Sequence, residues 1–247
     1  MVQPLDQGRS TTPARLSPDS EREAYRERRA TMTQEQRDEE DLANARFEAA
    51  RKSWFKTIDQ IGKRYYESRL DNFNVSDPRQ QVVVENLRKL VDRLPAHCAA
   101  GHSIAFLGPM GTGKDHLAVA MLYEAAKRHS MTVGWCDGQE LFQEFRDRIN
   151  DDKRELDKIR ELVRPDVLLI SDPIPQSGAV TDFQQSILSR VIDRRYRELK
   201  PTWVTMNVAN REEAEKRLGA QTVDRLSEGA VNIVCNWGSY RKTVGKS

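Results

Sequence analysis

The sequence predicts an α/β fold, in which helices flank a parallel β-sheet and a helical extension precedes it. Short apolar runs of five or six residues recur at 103–107, 132–136, 166–171, 202–206 and 231–235. Segments with helical periodicity separate these runs, an alternation that is typical of a parallel sheet covered by helices. The first run leads through a glycine-rich turn into a helical segment, which predicts a strand, a loop and a helix in succession.

The length and composition constrain the number of domains, the kinds of partner and the cellular compartment of the protein. With 247 residues, the chain can form one α/β domain and an additional segment. Lys and Arg total 40 against 38 Asp and Glu, so any contact with DNA must be local. The chain starts without an apolar signal segment, and no stretch approaches the roughly 20 apolar residues that span a bilayer. We therefore expect a cytoplasmic protein with no membrane partner.

The cysteines and histidines do not predict a metal site. Cys98, Cys136 and Cys235 are widely separated and odd in number, which favours reduced thiols in the core. The four histidines do not lie at ligand spacing from a cysteine. Structural zinc is therefore not expected.

The first 68 residues divide into a tail and an extension. Residues 1–20 contain few large apolar side chains, so we expect a disordered tail. Residues 21–68 are expected to form a helical extension, because charges of both signs alternate up to residue 52, as on a solvated helix. We expect this extension to bind a partner. An apolar stripe at helical spacing follows, and it must bury against either the neighbouring domain or a partner protein: Phe47, Trp54, Ile58, Ile61 and Tyr65.

The boundary of the second domain falls near residue 69. Residues 69–80 have the composition of a loop that ends in a helix cap, and a helix is predicted from about Gln80 to Leu94. Residues 69–247 should therefore form the α/β domain. The sequence contains no internal repeat.

The glycine-rich turn has the composition of a phosphate-binding loop, Gly108-Pro109-Met110-Gly111-Thr112-Gly113-Lys114. Its glycines lack the side chains that would block a tight turn, so backbone N–H groups can point at phosphate oxygens. Lys114 can reach the β- and γ-phosphates. We expect this loop, together with Asp115 and His116 at the start of the following helix, to bind ATP.

Asp115 departs from the usual pattern. The motif places a Ser or Thr hydroxyl at this position, where it binds Mg²⁺. A carboxylate at a helix start is favoured by the helix dipole and can ligate Mg²⁺ directly. It also places negative charge beside a triphosphate, so its effect on nucleotide affinity stays open.

Two strand ends supply further candidates. The apolar run at 166–171 ends at Asp172, which is predicted to hold the Mg²⁺ together with Asp115. The run at 202–206 ends at Asn207, whose amide could orient an attacking water near the γ-phosphate. An asparagine that merely forms a turn after a strand is the alternative.

Several segments together resemble one family. They are residues 72–80, Gly111-Thr112-Gly113-Lys114, Ile192-Asp193-Arg194-Arg195-Tyr196, Lys200-Pro201-Thr202, Asp224-Arg225-Leu226 and Asn236-Trp237-Gly238-Ser239-Tyr240-Arg241. Together they are similar to the bacterial DnaC/IstB group of AAA+ ATPases, and the resemblance spans about residues 70–247. The closing segment, with the chain length, favours the helicase-loader branch of the group over its transposition-helper branch.

The resemblance implies roles for five residues. Lys114 matches the phosphate-loop lysine, Asp172 the Mg²⁺ carboxylate and Asn207 the polar sensor. Arg225 matches the arginine finger that reaches the ATP of a neighbouring subunit, and Arg241 matches a second sensor that contacts nucleotide in its own subunit. A finger that acts between subunits would make nucleotide turnover depend on ATP-dependent homo-oligomerisation.

One further departure bears on turnover. The residue after the strand-end aspartate is usually acidic in this group and polarises the attacking water, whereas this chain has Pro173. Loss of a positioned base typically costs about 10²–10⁴ in rate. We therefore expect ATP binding with weak hydrolysis, and Asp182 is only a speculative substitute base.

Residues 139–164 are a candidate contact with single-stranded DNA. The resemblance implies a helix here that lines a channel, and the segment offers cations for phosphates and two aromatic rings for stacking: Arg146, Arg148, Lys153, Arg154, Lys158, Arg160, Arg164, Phe142 and Phe145. The same segment carries eight acidic residues: Glu140, Glu144, Asp147, Asp151, Asp152, Glu155, Asp157 and Glu161. A salt-bridged helix in solvent is therefore the alternative.

The resemblance implies an ATP-dependent loader that places a hexameric replicative helicase on single-stranded DNA. A transposition helper that assembles on duplex DNA is a second possibility. A nucleotide-regulated adaptor that does not hydrolyse ATP is a third, and Pro173 and Asp115 favour it.

Overall fold

The computed structural model describes residues 18–147 and 151–242. Contacts divide the chain into two units, Met1–Asn44 and Ala45–Ser247. The division falls inside a helix, 24 residues before the boundary expected near residue 69. Residues 45–68 therefore belong with the α/β domain.

The described part of the first unit is a pair of charged helices. Helix α1 spans Pro18–Thr31, and helix α2 spans Gln34–Ile61 and continues into the second unit. Arg29 binds both carboxylate oxygens of Asp41, at 2.8 and 2.6 Å, which joins the two helices. The solvated helix is confirmed, with a break at residues 32–33. Three residues of the expected tail, 18–20, are helical, and residues 1–17 lie outside the described residues.

The second unit contains a five-stranded parallel sheet. Its strands are β1 (Ile104–Leu107), β2 (Val133–Asp137), β3 (Val167–Ser171), β4 (Thr202–Met206) and β5 (Val231–Val234), in the order β2-β3-β4-β1-β5. Its helices are α3 (Pro78–Ala99), α4 (Lys114–His129), α5 (Gly138–Arg146), α6 (Asp152–Val163), α7 (Asp182–Arg197), α8 (Arg211–Leu218) and α9 (Ala220–Ser227). The predicted α/β class is confirmed, and each predicted strand end is within one residue of the observed one.

Alternate side chains of the central strands enter opposite cores. In β1, Ile104 and Phe106 join the core under α2, α3 and α4, whereas Ala105 and Leu107 join the core under α5, α6, α7 and α9. Because both faces of β1, β3 and β4 are covered, these three strands are buried along their whole length, whereas β5 leaves Asn232 and Val234 exposed. Within the described ranges, no helix has the length and apolar character needed to cross a bilayer.

Arg195 ties the loops at the amino ends of β3 and β4 together. Its guanidinium is fully buried and donates mainly to backbone oxygens: those of Leu162, Val163, Pro165, Asp166 and Pro201, together with Thr202 Oγ1. Burial lowers the pKa of this guanidinium to about 9. The charge is therefore satisfied mainly by peptide dipoles, which explains a buried arginine in the last turn of α7.

The apolar stripe packs on its own domain. Trp54 is 9 % exposed, and its ring lies 5.4 Å from that of Tyr123 in an edge-to-face contact. Thr57 Oγ1 donates to the carbonyl of Val133, and the Val133 N–H donates to Ser53 Oγ. Helix α2 thus covers part of the free edge of β2. The stripe residues from Trp54 onward bury against the domain, which is the first of the two alternatives, and not against a partner.

Replacing Trp54 with alanine should destabilise the α/β domain. Removing a buried aromatic side chain typically costs about 3–5 kcal/mol. Phe55 is a matched control on the same helix because 60 % of it is exposed. We expect a large loss in the free energy of unfolding for Trp54→Ala and a change within about 0.5 kcal/mol for Phe55→Ala, measured by urea denaturation. Equal losses in the two variants would contradict this packing.

Candidate functional site

The glycine loop, residues 108–114, connects β1 to α4 at the carboxyl edge of the sheet. Gly108 and Gly113 have positive φ angles of 139° and 89°. A Cβ at Gly108 would lie 2.3 Å from the Cys235 carbonyl oxygen, and one at Gly113 would lie 2.7 Å from the Phe73 ring. Neither position can therefore carry a side chain without displacing its surroundings.

Lys114 is held inside this loop. It is 4 % exposed, and its Nζ donates to the Pro109 carbonyl oxygen at 2.9 Å and to Asn207 Oδ1 at 2.8 Å. Burial lowers the pKa of Lys114, against the nearby charges of Asp172 and Asp115. Thr112 Oγ1 also donates to Pro109 O, which holds the turn closed. The ammonium group thus lies inside the glycine loop, bound to the loop backbone and to the end of β4.

Asp172 and Asn207 meet at the ends of β3 and β4. Asn207 Nδ2 donates to Asp172 Oδ1 at 2.9 Å, so Lys114, Asn207 and Asp172 form one hydrogen-bonded chain. Asp172 adopts a φ of 44°, a conformation that costs a non-glycine residue about 1–3 kcal/mol and is concentrated at functional sites. Burial, followed by the charge of Asp115, raises the pKa of Asp172 to about 6.

Asp115 is held by two hydroxyl groups. Ser171 Oγ and Thr205 Oγ1 donate to its Oδ1 at 3.0 and 2.9 Å. These hydroxyls come from β3 and β4, and the sequence analysis missed them. In the sequence, each of them is visible only as a hydroxyl residue near the end of a largely apolar run. The carboxylate that replaces the usual Ser or Thr is therefore built into the site by hydrogen bonds from two strands.

The donor set fits a nucleotide-bound Mg²⁺. Asp115 and Asp172 both act on the pKa of Lys114, so two carboxylates adjoin the same ammonium. Over the described ranges, no group of three or more His, Cys, Asp and Glu side chains could hold a metal alone. Mg²⁺ typically binds through one or two carboxylates together with substrate phosphates. The site is therefore suited to Mg²⁺ that arrives with a triphosphate.

A cleft extends from the glycine loop toward residues 64–74 and the C-terminal segment. Arg241 lines it, as the resemblance implies for a residue that contacts nucleotide in its own subunit. The sequence analysis did not identify the other lining residues outside the loop, among them Arg64, Tyr65, Asn72, Asn74 and Tyr240. In the sequence, Asn72 and Asn74 belong to the boundary loop, Tyr240 to the closing motif and Tyr65 to the apolar stripe.

The other predicted residues have different surroundings. His116 lines the cleft, but its Nε2 lies 2.9 Å from the Arg69 carbonyl oxygen. Met110 is exposed on the loop. Arg225 is on α9 and forms an ion pair with Asp193 of α7, so the structure does not bring it to the glycine loop of its own chain. Asp182 is exposed at the first position of α7.

Pro173 leaves the position after Asp172 without a carboxylate. The residue is buried, and a Cβ at Gly138 would lie 2.3 Å from Pro173 Cα, so the two backbones are in close contact. Gln139 Nε2 donates to the Pro173 carbonyl oxygen at 3.2 Å. The buried proline therefore places apolar surface where the family pattern has a base.

The aromatic residues of the candidate DNA segment are core residues. Phe142 and Phe145 are 2 % and 1 % exposed, so the interpretation of them as stacking platforms is wrong. Their burial follows from the helical spacing that places both on the apolar face of α5. Several of the cations are paired within the segment: Arg154 with Asp151, Lys158 with Glu144 and Glu161, and Arg160 with Asp157. Arg148 lies outside the described residues. The salt-bridged helix is the better description.

Comparison with known proteins shows the family to which the chain belongs. Residues 67–246 match the family described as IstB-like ATP binding protein. The chain is 28 % identical over 193 residues to the replicative helicase loader DnaC of Escherichia coli K12, covering 76 % of each chain. It is 28 % identical over 194 residues to the insertion sequence IS5376 putative ATP-binding protein of Geobacillus stearothermophilus, covering 75 % of this chain and 72 % of that one.

A solved structure shows the same fold. The crystal structure of the DnaC helicase loader superimposes with a TM-score of 0.63 and 24 % identity, covering 70 % of this chain and 99 % of that chain. The predicted resemblance to the DnaC/IstB group of AAA+ ATPases is thereby confirmed.

The raised pKa of Asp172 makes stability depend on pH. Because its pKa rises from 3.8 to about 6, the folded chain binds this proton more tightly than the unfolded chain does. The contribution of Asp172 to stability is therefore present below about pH 4 and is lost as the pH rises through about 6. Asp172→Asn should raise the melting temperature of the nucleotide-free chain by about 2–4 °C near pH 7.5, and by nothing near pH 4.

Thermal melting monitored by circular dichroism between pH 4 and 7.5 measures this difference. Asp182→Asn is the matched control, because Asp182 is exposed, and it should give a smaller change than Asp172→Asn near pH 7.5. A gain for Asp172→Asn that does not change between pH 4 and 7.5 would show that its charge is not the cause.

Proposed function

Because the chain belongs to the family of IstB-like ATP-binding proteins, we propose that it is an ATP-dependent loader of a replicative DNA helicase. ATP binding, rather than rapid hydrolysis, is its assembly switch. The observation that carries the nucleotide part is the bonded chain of Lys114, Asn207 and Asp172 at the glycine loop. The similarity to the DnaC loader over three quarters of both chains supports the helicase part.

Lys114 is prepared for phosphate. Its ammonium is already buried, and its two acceptors are a backbone carbonyl and a side-chain amide oxygen, both neutral. Phosphate oxygens would replace neutral acceptors by charged ones, which make stronger hydrogen bonds to an ammonium. The unfavourable free energy of removing the Lys114 ammonium from water therefore arises when the chain folds, and not when nucleotide binds. Asn207 would keep Asp172 oriented through its Nδ2 while its Oδ1 is released.

The carboxylates of Asp115 and Asp172 would hold Mg²⁺. When bound, Mg²⁺ neutralises charge on the phosphates and on these two residues. The Ser171 and Thr205 hydroxyls would fix the rotamer of Asp115 through Oδ1. The like charge of Asp115 and the triphosphate is then compensated by the cation that they share.

Slow turnover follows from Pro173. Its ring offers neither a base nor a hydrogen-bond donor, and it is buried against Gly138. The carboxylate next to Pro173 is that of Asp172, but its Oδ1 already accepts a hydrogen bond from Asn207 Nδ2. We therefore assign the working state to the ATP-bound protein.

Pro173→Glu should raise ATP hydrolysis. A positioned carboxylate typically contributes about 10²–10⁴ in rate, so an increase of at least about tenfold in kcat is expected. Pro173→Gln is the matched control, because it has a similar size and also restores the backbone N–H but supplies no base. Equal rates in the two variants, or a rapid wild-type rate, would contradict the assignment of Pro173 as the limiting position.

Assembly would involve Arg225. In the free chain its guanidinium is bound to Asp193, and its side chain is 25 % exposed. Partial exposure leaves it accessible to a neighbouring subunit, where a guanidinium can bind phosphate through several donors. The ion pair with Asp193 would then be exchanged for one with nucleotide in the homo-oligomer.

The first unit is the proposed helicase-binding part. Tyr25 and Leu42 are 42 % and 54 % exposed on its otherwise charged helices. Exposed apolar side chains on a helix are suited to docking in a groove. This assignment replaces the apolar stripe around Trp54, which is occupied by the domain itself.

A transposition helper is the second candidate. The family match and the similarity to the IS5376 ATP-binding protein favour it. Such a protein would assemble with ATP on duplex DNA, whereas a helicase loader would prefer single strands. A nucleotide-regulated adaptor is the third, and it would show no turnover even with DNA present.

Capture of the host helicase tests the proposal. With ATP, the full chain should bind the purified hexameric helicase and single-stranded DNA in preference to duplex. Lys114→Ala should abolish ATP binding and ATP-dependent capture, whereas Lys127→Ala, an exposed lysine on the same helix, should do neither. Leu42→Asp should abolish capture and leave ATP affinity unchanged. Capture of a transposase on duplex DNA instead would overturn the helicase assignment.

A further inference from the structure

The C-terminal segment binds the outer side of the glycine loop. Trp237 is 5 % exposed, and its indole Nε1 donates to the Thr112 carbonyl oxygen at 2.8 Å. The backbone N–H of Tyr240 donates to the Gly111 carbonyl oxygen at 2.9 Å. Two consecutive carbonyl groups of the loop are thus bonded by residues more than 120 positions later in the chain.

These two bonds determine where two loop amides point. A trans peptide is planar, and its N–H points away from its C=O. The described residues contain no cis peptide bond. Fixing the carbonyl groups of Gly111 and Thr112 on the side of the C-terminal segment therefore turns the N–H groups of Thr112 and Gly113 to the opposite side.

Aromatic packing holds the C-terminal segment in place. The Phe73 ring makes edge-to-face contacts with Trp237 and Tyr240, with centroids 6.5 and 5.7 Å apart. Phe73 also packs directly on Gly113, and Tyr240 Oη donates to the Asn74 carbonyl oxygen. Residues 73–74 and 237–240 therefore enclose the loop from one side.

We propose that Trp237 and Tyr240 are positioning residues for nucleotide, which hold the peptide groups of residues 111–113 with their N–H groups turned toward the phosphate side. The proposal rests on ATP binding at this site. Without the two bonds, these glycine peptides could rotate, because glycine has the widest range of backbone conformations. Binding would then have to order them, and ordering reduces affinity.

Trp203 provides a matched control. It is fully buried in β4, and among the described residues its Nε1 has no hydrogen-bond partner. Trp203→Phe and Trp237→Phe are the same chemical change at buried positions. Only the second removes a hydrogen bond to the glycine loop.

The experiment compares ATP affinity in the two variants of the full chain. Loss of one hydrogen bond should raise the Kd for Mg-ATP by about five- to tenfold in Trp237→Phe, measured by calorimetry. The Kd for Trp203→Phe should stay within about twofold of wild type. A purely structural role for Trp237 would lower the melting temperature without nucleotide and leave the Kd unchanged, and that result would overturn the proposal. Absence of ATP binding by the wild-type chain would instead refute the proposed function.

If Trp237→Phe does not fold, a measurement on the wild-type chain tests the same proposal. Coupling is reciprocal, so nucleotide must stabilise the Trp237 bond if that bond favours nucleotide. Solvent exchange of the Trp237 indole proton should slow by about five- to tenfold relative to that of Trp203 when Mg-ATP saturates the wild-type chain. The four indole signals can be assigned with Trp54→Phe, Trp135→Phe and Trp203→Phe. Equal slowing of both protons would reflect global stabilisation only and would overturn the proposal.

Discussion

The burial of the Lys114 ammonium is the constraint on which the site depends. A buried ammonium needs acceptors and nearby negative charge. Pro109 and Asn207 supply the acceptors, and Asp115 and Asp172 supply the charge. These groups come from the loop after β1 and from the ends of β3 and β4, three neighbouring strands. The order β3-β4-β1 is therefore the arrangement that allows one lysine to be buried and satisfied.

The two departures from the family pattern have different structural consequences. Asp115 adds a negative charge, and the structure compensates it locally with the hydroxyls of Ser171 and Thr205 and with Lys114 nearby. Pro173 removes a charge, and its Cα lies in close contact with the backbone of Gly138. The added carboxylate is therefore accommodated by hydrogen bonds within the site. A carboxylate that activates water has no equivalent at this position.

The sequence predicts the parts of this protein that depend on local spacing. The five strands follow from their apolar runs, and the positions of Lys114, Asp172 and Asn207 follow from their places relative to strand ends. It does not predict contacts between distant segments, such as Trp237 with Thr112 or Ser171 with Asp115. It also leaves open which surface an apolar face meets: Trp54 and Phe142 lie on apolar helix faces, and only the fold shows that both are core residues.

Within the second unit, the end of α2 leads into the segment that lines the nucleotide site. Helix α2 is continuous from the first unit into the second, and its last turns are anchored to β2 through Ser53 and Thr57. Four residues after α2 ends, Tyr65 lines the cleft. Burial, followed by the charge of Asp115, raises the pKa of Tyr65, against the charge of Arg241. Residues 62–77 therefore connect a helix end that is anchored to β2 with Phe73, which packs on the glycine loop. Because Phe73 lies at the end of this connection and packs on Gly113, a ligand that displaced the glycine loop would act on this segment directly.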